Sequence, residues 1–355
     1  MALDRPAHYA GLDSIRFFAA LWVAIAHGAA FPLRDTLIAI GFGEWLPRSL
    51  DYLAFNGKAA VIVFFVVSGF CIHLPQARGE KLVLPVYLVR RFVRVGLPLA
   101  VATAAYSAIG GEVAFLGRFV LWTLYCEMLY YALYPLALVA IRRVGLLVIV
   151  SLSYLVAATV VAIVDFEALT PRPFGFWDWL VCYPAWLLGC LLAARVDRDA
   201  PAIAGATIWA WRIGLWLLSV LAIWLAHHSD FRIGYPISLP VFAIAATAWL
   251  DIEVRYYRRH RPSRLAEQGG QGAYSIYLMH PIVLVLVGAT TGSLPPLVAW
   301  ASKAVALLAG VWLFYWLIER PSHRLARRAA GRLRPSRVLA AAGGPDIEQK
   351  QNLRV

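Results

Sequence analysis

Long apolar runs recur along most of the 355-residue chain and are separated by shorter segments rich in arginine. A run of about 20 mainly apolar residues is long enough to cross roughly 30 Å of hydrocarbon as a helix. The pattern predicts an all-α, polytopic integral membrane bundle of about ten transmembrane helices. These spans are predicted at 14–33, 58–75, 93–110, 121–141, 144–164, 179–194, 203–226, 233–250, 271–288 and 295–318.

The distribution of basic residues predicts the orientation of the bundle, because lysine and arginine collect in cytoplasmic loops. With the N-terminus inside, 25 of the 33 lysines and arginines fall in cytoplasmic segments, and the C-terminus also falls inside. Basic inner loops beside anionic lipid explain the net charge of +13 without a nucleic-acid partner. Membrane lipid is the expected environment.

Composition excludes a water-soluble domain: 61% of the residues are hydrophobic and only 15% are charged. The four cysteines fall inside predicted spans, and no Cys-x-x-Cys pair or histidine cluster has zinc spacing, so no metal is expected. Residues 1–325 are predicted to form one transmembrane domain. Residues 326–355 are predicted to form a basic cytoplasmic tail, with a short helix on the inner leaflet followed by disorder.

Arg16 and His27 are separated by eleven residues on the first span. Eleven residues make almost three helical turns, so both side chains share one face, about 16 Å apart along the axis. Ionisable groups inside a span are costly unless they face protein or water, which makes the pair a functional-site candidate. The alternative is that Arg16 anchors the helix at the headgroups while His27 only packs.

Further polar residues interrupt the other spans. Ser68 precedes Gly69 on the second span, where small residues favour close helix packing. Arg91 and Arg94 share a face at the cytoplasmic entrance of the third span, and two guanidiniums so placed suit phosphate groups. Interfacial anchoring is the alternative for both arginines.

The fourth span carries Glu127, about a third of the way in from the outer face and therefore expected to lie apart from the Arg91 entrance. A buried carboxylate must be paired, hydrogen-bonded or protonated, and His27 is one candidate partner. Neighbouring aromatic residues could form a wall that holds a sugar ring, or an aromatic belt at the interface; they are Trp122, Tyr130, Tyr131 and Tyr134. The ninth span adds Tyr277 and His280, and the tenth ends at Glu319.

Six motifs occur in a fixed order: Arg-x10-His, Phe-Phe-x-x-Ser-Gly-Phe, Arg-x-x-Arg, Leu-Trp-Thr-Leu-x-x-Glu-x-x-Tyr-x-x-x-Pro, Gly-x-Tyr-Ser-Ile-Tyr-Leu-x-His and Glu-x-Pro. Over residues 9 to 325 the chain resembles the membrane-bound acyltransferase-3 family, in its stand-alone form without an SGNH hydrolase-like domain. The resemblance implies a bacterial inner-membrane enzyme. It would move an acyl group, most often acetyl, from cytoplasmic acyl-CoA to a sugar hydroxyl. The implied acceptors are lipopolysaccharide, exopolysaccharide, a lipid-linked glycan or a glycosylated metabolite.

The resemblance also implies residue roles. His27 matches the family's proposed catalytic histidine and Arg16 its partner, while Arg91 and Arg94 match the proposed contacts to the CoA phosphates. Trp122 and Glu127 match positions implicated in handling the acceptor or supporting the histidine. We add Ser68 to the donor side; Tyr130, Tyr277 and His280 are the further candidates for the acceptor side.

Two mechanisms follow from these roles. In direct transfer His27 takes the proton of the acceptor hydroxyl, which attacks the thioester while Arg16 or a backbone amide stabilises the oxyanion. In a ping-pong route His27 or Ser68 is acylated first. Two other functions stay open: a non-enzymatic glycolipid transporter or flippase, and an acyltransferase family that modifies proteins or lipids.

Overall fold

The computed structural model describes residues 9–29, 55–164, 177–197, 203–228 and 233–333, with a few isolated residues between them. All regular secondary structure in these ranges is helical. The helices are α1 Leu12–Ala24, α2 Gly57–Ala77, α3 Leu84–Ala108, α4 Trp122–Val144, α5 Leu146–Ile163, α6 Asp178–Ala193, α7 Gly205–His228, α8 Ser238–Tyr257, α9 Arg264–Gln271, α10 Ala273–Thr291, α11 Pro296–Phe314 and α12 Arg320–Arg332. A four-residue helix, Val113–Leu116, precedes α4, and π-helical turns occupy Ile25–Ala29, Gly117–Leu121, Ile233–Ile237 and Tyr315–Glu319.

Seven helical segments in the described ranges are long and apolar enough to cross a membrane. They are α2, α4, α5, α7, α8 with its preceding turn, α10, and the continuous segment Pro296–Arg332. The predicted all-α membrane bundle is therefore found, whereas ten spans are not confirmed. One predicted span, α6, has only 16 residues, and the location of the termini stays a prediction.

Two helix bounds differ from the sequence expectation in ways that shape the site. The third predicted span began at residue 93, but α3 begins at Leu84 and so carries Arg91 and Arg94 within the helix. The last span continues through α12 instead of ending at 318. Ala326 and Ala330 of α12 are buried, and Ser322 donates a 2.8 Å hydrogen bond to the carbonyl of Val93 on α3.

The first part of the predicted tail, residues 326–332, is thus packed on protein rather than lying only on the leaflet. Small residues on one side of α12 allow this close packing, which the tail's basic composition did not reveal. Residues 334–355 lie outside the described ranges.

The centre of the bundle is the crossing of α2 and α6. A Cβ built on Gly69 would lie 1.9 Å from the Trp186 carbonyl oxygen, and one on Gly189 would lie 2.0 Å from the Val66 carbonyl oxygen. Only glycine permits two helix backbones to approach so closely. The crossing fixes Ser68, which neighbours Gly69, at the middle of the bundle.

The start of α1 is held by α9, which the sequence did not predict. Glu267 accepts hydrogen bonds from the Ser14 amide at 2.9 Å and from the Ser14 hydroxyl at 2.6 Å. Gly270 lets the two helices touch, since a Cβ there would lie 2.0 Å from the Asp13 carbonyl oxygen. This support sets the position of Arg16, one turn further along α1.

A polar cluster joins the N-terminal segment to the ends of α2 and α6. Tyr9 donates a hydrogen bond to Asp197, and Arg78 donates from Nε to Asp197 at 2.9 Å and from Nη2 to the Tyr9 hydroxyl at 2.9 Å. Burial, and secondly the contact with Asp197, raises the pKa of Tyr9 above its ordinary value of 10.0. Tyr9 therefore stays a neutral hydrogen-bond donor at physiological pH.

Candidate active site

A cavity of about 470 Å³ enters the bundle beside α12 and reaches the first turns of α4. Its walls come from α1, α2, α3, α4, α10 and α12. Six arginines line it: Arg16, Arg91, Arg94, Arg320, Arg324 and Arg327. Only three carboxylates line the same space, Asp13, Glu127 and Glu319. The excess of guanidinium groups over carboxylates gives this basic cavity a lining that suits an anion.

Several of these arginines are not committed to protein partners. Within the described residues Arg91 makes no hydrogen bond or ion pair, and its guanidinium carbon lies 6.0 Å from the ring centroid of Tyr131. Arg324 and Arg327 also line the cavity, and they too make no hydrogen bond or ion pair within the described residues. Planar guanidiniums with unused N–H groups bind phosphate oxygens in pairs.

Arg16 faces this cavity, but His27 does not line it. Arg16 donates from Nη1 to Asp13 at 2.8 Å and from Nη2 to the sulfur of Cys71 at 3.0 Å. The predicted partners therefore occupy different levels of the protein. Arg16 can contribute charge to the cavity, but it does not contact the imidazole.

Glu127 lies at the deep end of the basic cavity, in contact with residues of α2 and α4. Its Oε1 accepts hydrogen bonds from Ser68 at 2.7 Å and from Tyr131. The Ser68 hydroxyl also lies 3.0 Å from that of Tyr131 and accepts a 3.3 Å bond from the Trp186 indole. This network satisfies a carboxylate that would otherwise be costly inside a span.

Two expectations about Glu127 are corrected by this geometry. Glu127 does not lie apart from Arg91 and Arg94, because all three line the same cavity. Its partners are hydroxyl groups rather than His27. The cavity reaches Glu127, five positions after the first residue of α4.

His27 lies in the π-helical turn that ends α1. Its Nδ1 is 2.8 Å from the carbonyl oxygen of Val23. Because a carbonyl oxygen only accepts, Nδ1 carries the hydrogen and the neutral ring keeps a lone pair on Nε2. Gly28 follows with φ 118°, in the left-handed region. His27 as a residue is exposed, while one side of its ring packs on His280.

His280 stacks on His27, with ring centroids 5.1 Å apart and planes inclined by 26°. His280 is completely buried, and neither ring nitrogen makes a hydrogen bond of normal geometry within the described residues. The ring of Tyr277 packs edge-on against His280 at 5.7 Å. The Tyr277 hydroxyl donates to the Val120 carbonyl at 2.7 Å and lies 2.6 Å from the hydroxyl of Thr123.

Tyr277 lines the basic cavity, so the order from the cavity outwards is Tyr277, His280 and His27. Tyr277 lines the cavity, whereas His280 lies behind Tyr277 and packs against His27. The acceptor-side roles of both residues stay predictions.

The proposed aromatic wall divides between two environments. Tyr130 is fully buried, its hydroxyl donates to the Trp179 carbonyl at 2.8 Å, and its ring packs on Phe65 and Trp186. Trp122 packs edge-on against Phe65 and is not among the residues that line the cavity. Neither Tyr130 nor Trp122 lines the basic cavity, and their contact with the acceptor stays a prediction. Of the two adjacent tyrosines on α4, Tyr130 points towards α6 and Tyr131 points into the cavity.

Sequence reasoning missed the contribution of α12 to the site. Arg320, Arg324 and Arg327 have spacings of four and three residues, which places them on one helical face. His323 lies between them and accepts a 3.1 Å hydrogen bond from Arg94 Nε. The spacing was visible in the sequence, but a basic face beside a membrane is also typical of a helix lying on anionic lipid.

Comparisons with known proteins agree with this architecture. A family model described as an acyltransferase domain matches residues 9–316. The chain is 28% identical over 332 residues to the exopolysaccharide production protein ExoZ of Rhizobium meliloti (strain 1021), covering 82% of this chain and 95% of that protein. No solved structure matches. The chain belongs to the acyltransferase-3 family and is a multi-pass membrane acyltransferase.

Proposed function

We propose that the protein transfers an acetyl-type acyl group from acyl-CoA to a hydroxyl group of a sugar in an exopolysaccharide or its lipid-linked precursor. The observation that carries this proposal is the basic cavity, which has six arginines and leads towards a histidine prepared to act as a base. The similarity to ExoZ, an exopolysaccharide production protein, supports the acceptor class.

The cavity suits the donor in both charge and depth. CoA carries a diphosphate and a ribose 3′-phosphate at one end and a slender pantetheine arm at the other. The arm enters first, so the phosphates stay at the mouth, near Arg324 and Arg327 of α12. These guanidiniums supply hydrogen-bond donors that the described residues do not use.

The thioester end of the arm approaches the region of Ser68, Glu127 and Tyr277. Phe64 and Tyr277 pack edge-on at 6.2 Å and separate the cavity from the two histidines. In direct transfer the rings of Phe64, Tyr277 and His280 all have to move aside before the thioester reaches His27. If the protein were a glycolipid transporter or flippase, the arginines at the mouth of the cavity that make no hydrogen bond to the described residues would have no evident ligand.

The chemical step uses the lone pair on Nε2 of His27. Nε2 takes the proton of the sugar hydroxyl while the oxygen attacks the thioester carbonyl carbon. The tetrahedral intermediate collapses, the carbon–sulfur bond breaks, and the CoA thiolate recovers the proton from the imidazolium. The Val23 carbonyl accepts the Nδ1 hydrogen throughout, which fixes the ring and stabilises its positive charge.

A ping-pong route is favoured by one specific observation. Ser68 lies in the donor cavity and donates a 2.7 Å hydrogen bond to Glu127, whereas His27 does not line that cavity. Ser68 would then attack the thioester carbon while Glu127 accepts its proton, and the carbon–sulfur bond would break so that CoA leaves as the thiol with that proton. A sugar hydroxyl would next displace Ser68 from the acyl group and return a proton to the serine oxygen. Acid quenching with labelled acetyl-CoA and no acceptor separates the routes, because only ping-pong transfer leaves label on the protein.

Mass spectrometry of cell-surface glycans tests the function itself. Cells that carry the gene should contain sugar residues heavier by one acyl group, and cells with the gene deleted should lack them. Mild alkali should remove the added mass, since it would be an ester. Identical glycans in the two strains would contradict the proposed acceptor.

A further inference from the structure

A second cavity, of about 530 Å³, lies on the opposite side of α1 from the basic cavity. It is bounded by α1, α2, α7 and α8 and is called the α1–α7 groove below. Its walls are largely apolar, with Phe18, Ala60, Leu215 and Phe242 among the lining residues. Along α1 and the first residue of the turn that follows it, the groove extends from Ser14 to Ile25. These two residues are eleven positions apart, which corresponds to about 16 Å, close to half the roughly 30 Å thickness of the hydrocarbon core.

Polar groups at one end of the groove are hydrogen-bond donors. Arg212 donates from Nε to Glu253 Oε1 at 2.7 Å, and from Nη2 to Glu253 Oε2 at 2.9 Å and to the Tyr257 hydroxyl at 3.0 Å. Both carboxylate oxygens are therefore occupied. The Nη1 group of Arg212 has no acceptor among the described residues, and the side chain is 28% exposed.

Two further donors line the same groove. The indole nitrogens of Trp22 and Trp249 are buried and have no hydrogen-bond partner within the described part of the chain. Trp249 lies one helical turn from Glu253, so its indole is about 6 Å deeper than the ion pair. Buried donors without acceptors are rare and costly in proteins, and because the Trp249 side chain lines the groove, a ligand that reaches this indole would satisfy it.

We propose that the α1–α7 groove binds one membrane phospholipid, with its phosphate at Arg212 and one acyl chain along α1. A phospholipid supplies three features that suit the groove: phosphate oxygens for Nη1, an ester carbonyl oxygen for the Trp249 indole one turn deeper, and a chain of one leaflet's length for the apolar wall that continues to Trp22. Arg212 lies near the start of α7, at the end of the bundle predicted to be cytoplasmic. The lipid therefore comes from the inner leaflet.

Photo-crosslinking tests this site in the full-length protein, reconstituted in vesicles of phosphatidylcholine and phosphatidylglycerol. The probe is a phosphatidylglycerol with a diazirine in one acyl chain, and labelled peptides are mapped by mass spectrometry. We expect labelling of α1 and α8 at groove positions to exceed labelling of the exposed surface of α11. A diacylglycerol with the same diazirine chain but no phosphate should label the groove weakly.

Variants then distinguish a specific binding site from a surface that makes only non-specific contact with lipid. The double variant Trp22→Phe, Trp249→Phe keeps the apolar wall and removes both donors, and Arg212→Lys keeps the charge beside Glu253 but removes Nη1. Each should lower groove labelling roughly tenfold, the loss expected for one or two hydrogen bonds. Trp312→Phe on the exposed face of α11 should change nothing. Thermal unfolding in detergent identifies any misfolded variant, and the double Phe variant decides if Arg212→Lys is unstable. Equal labelling by the diacylglycerol, or full labelling of the double Phe variant, would overturn the proposal.

Discussion

Arg327 at the mouth of the basic cavity offers the sharpest test of the donor site. Arg327 lines the cavity, whereas its neighbour Arg328 does not. If Arg327 binds the ribose 3′-phosphate of CoA, replacing it by Ala removes a hydrogen bond to a charged group. Such bonds contribute about 1.5–3 kcal/mol. Because Arg327 is exposed, the lower value applies, and we expect a roughly tenfold larger dissociation constant for CoA. Arg328→Ala is the matched control and should bind CoA like the wild type.

Isothermal titration with CoA and with 3′-dephospho-CoA measures this effect directly. The Arg327→Ala defect should be large for CoA and nearly absent for dephospho-CoA, since the contacted group is then missing from both titrations. Raising the salt concentration should reduce the difference between wild type and variant, because exposed charges are screened. Equal affinities for CoA in Arg327→Ala and wild type, or an equal defect in Arg328→Ala, would refute the assignment of α12 to the donor site.

Three further predictions concern other residues of the account. In direct transfer, Glu127→Gln should lower the rate about tenfold by weakening the contacts to Ser68 and Tyr131, and a loss above about a hundredfold would instead indicate that Glu127 is the base for Ser68. The acid limb of the pH–rate profile should stay in place, and a shift to lower pH would indicate pairing with His27. His280→Phe keeps a ring against His27 and removes two nitrogens that have no hydrogen-bond partner within the described residues. The transfer rate should therefore stay within about threefold of wild type, and the melting temperature should not fall. A roughly hundredfold loss of rate would indicate a chemical role for His280. Tyr9→Phe should lower the free energy of unfolding by about 2 kcal/mol. This difference should be present below pH 10 and disappear as the pH rises through the raised pKa of Tyr9. Thermal unfolding of both proteins between pH 7 and 11 measures it, and a pH-independent difference would contradict the role of the Tyr9 hydroxyl as a donor.

The positions of most helices and part of the site could be predicted from the sequence. Polar residues inside apolar runs are costly, so they mark places where protein rather than lipid surrounds a helix. That argument selected Arg16, Ser68, Arg91, Arg94 and Glu127, which the structure brings together around one cavity. Hydrophobic length located α2, α4 and α10 to within a few residues.

The sequence could not predict in the same way which individual side chains point into the cavity. A helix that is apolar on all sides carries no periodic signal for which side is buried, so Tyr130 and Tyr131 were indistinguishable although only Tyr131 reaches the cavity. The basic face of α12 suits anionic lipid and an anionic ligand equally well. Its assignment to the cavity required the buried contacts of Ser322 and Ala326 against α3.

Transfer by the purified protein with and without the His27 imidazole tests the central claim most directly. Wild type and His27→Gln would be reconstituted in vesicles with radiolabelled acetyl-CoA and lipid-linked saccharide extracted from a gene-deletion strain. We predict alkali-labile label in the saccharide with wild type and none with His27→Gln, while both proteins bind CoA with the same affinity. Transfer by His27→Gln at the wild-type rate would contradict the role of His27 as the base that delivers the acyl group to the sugar.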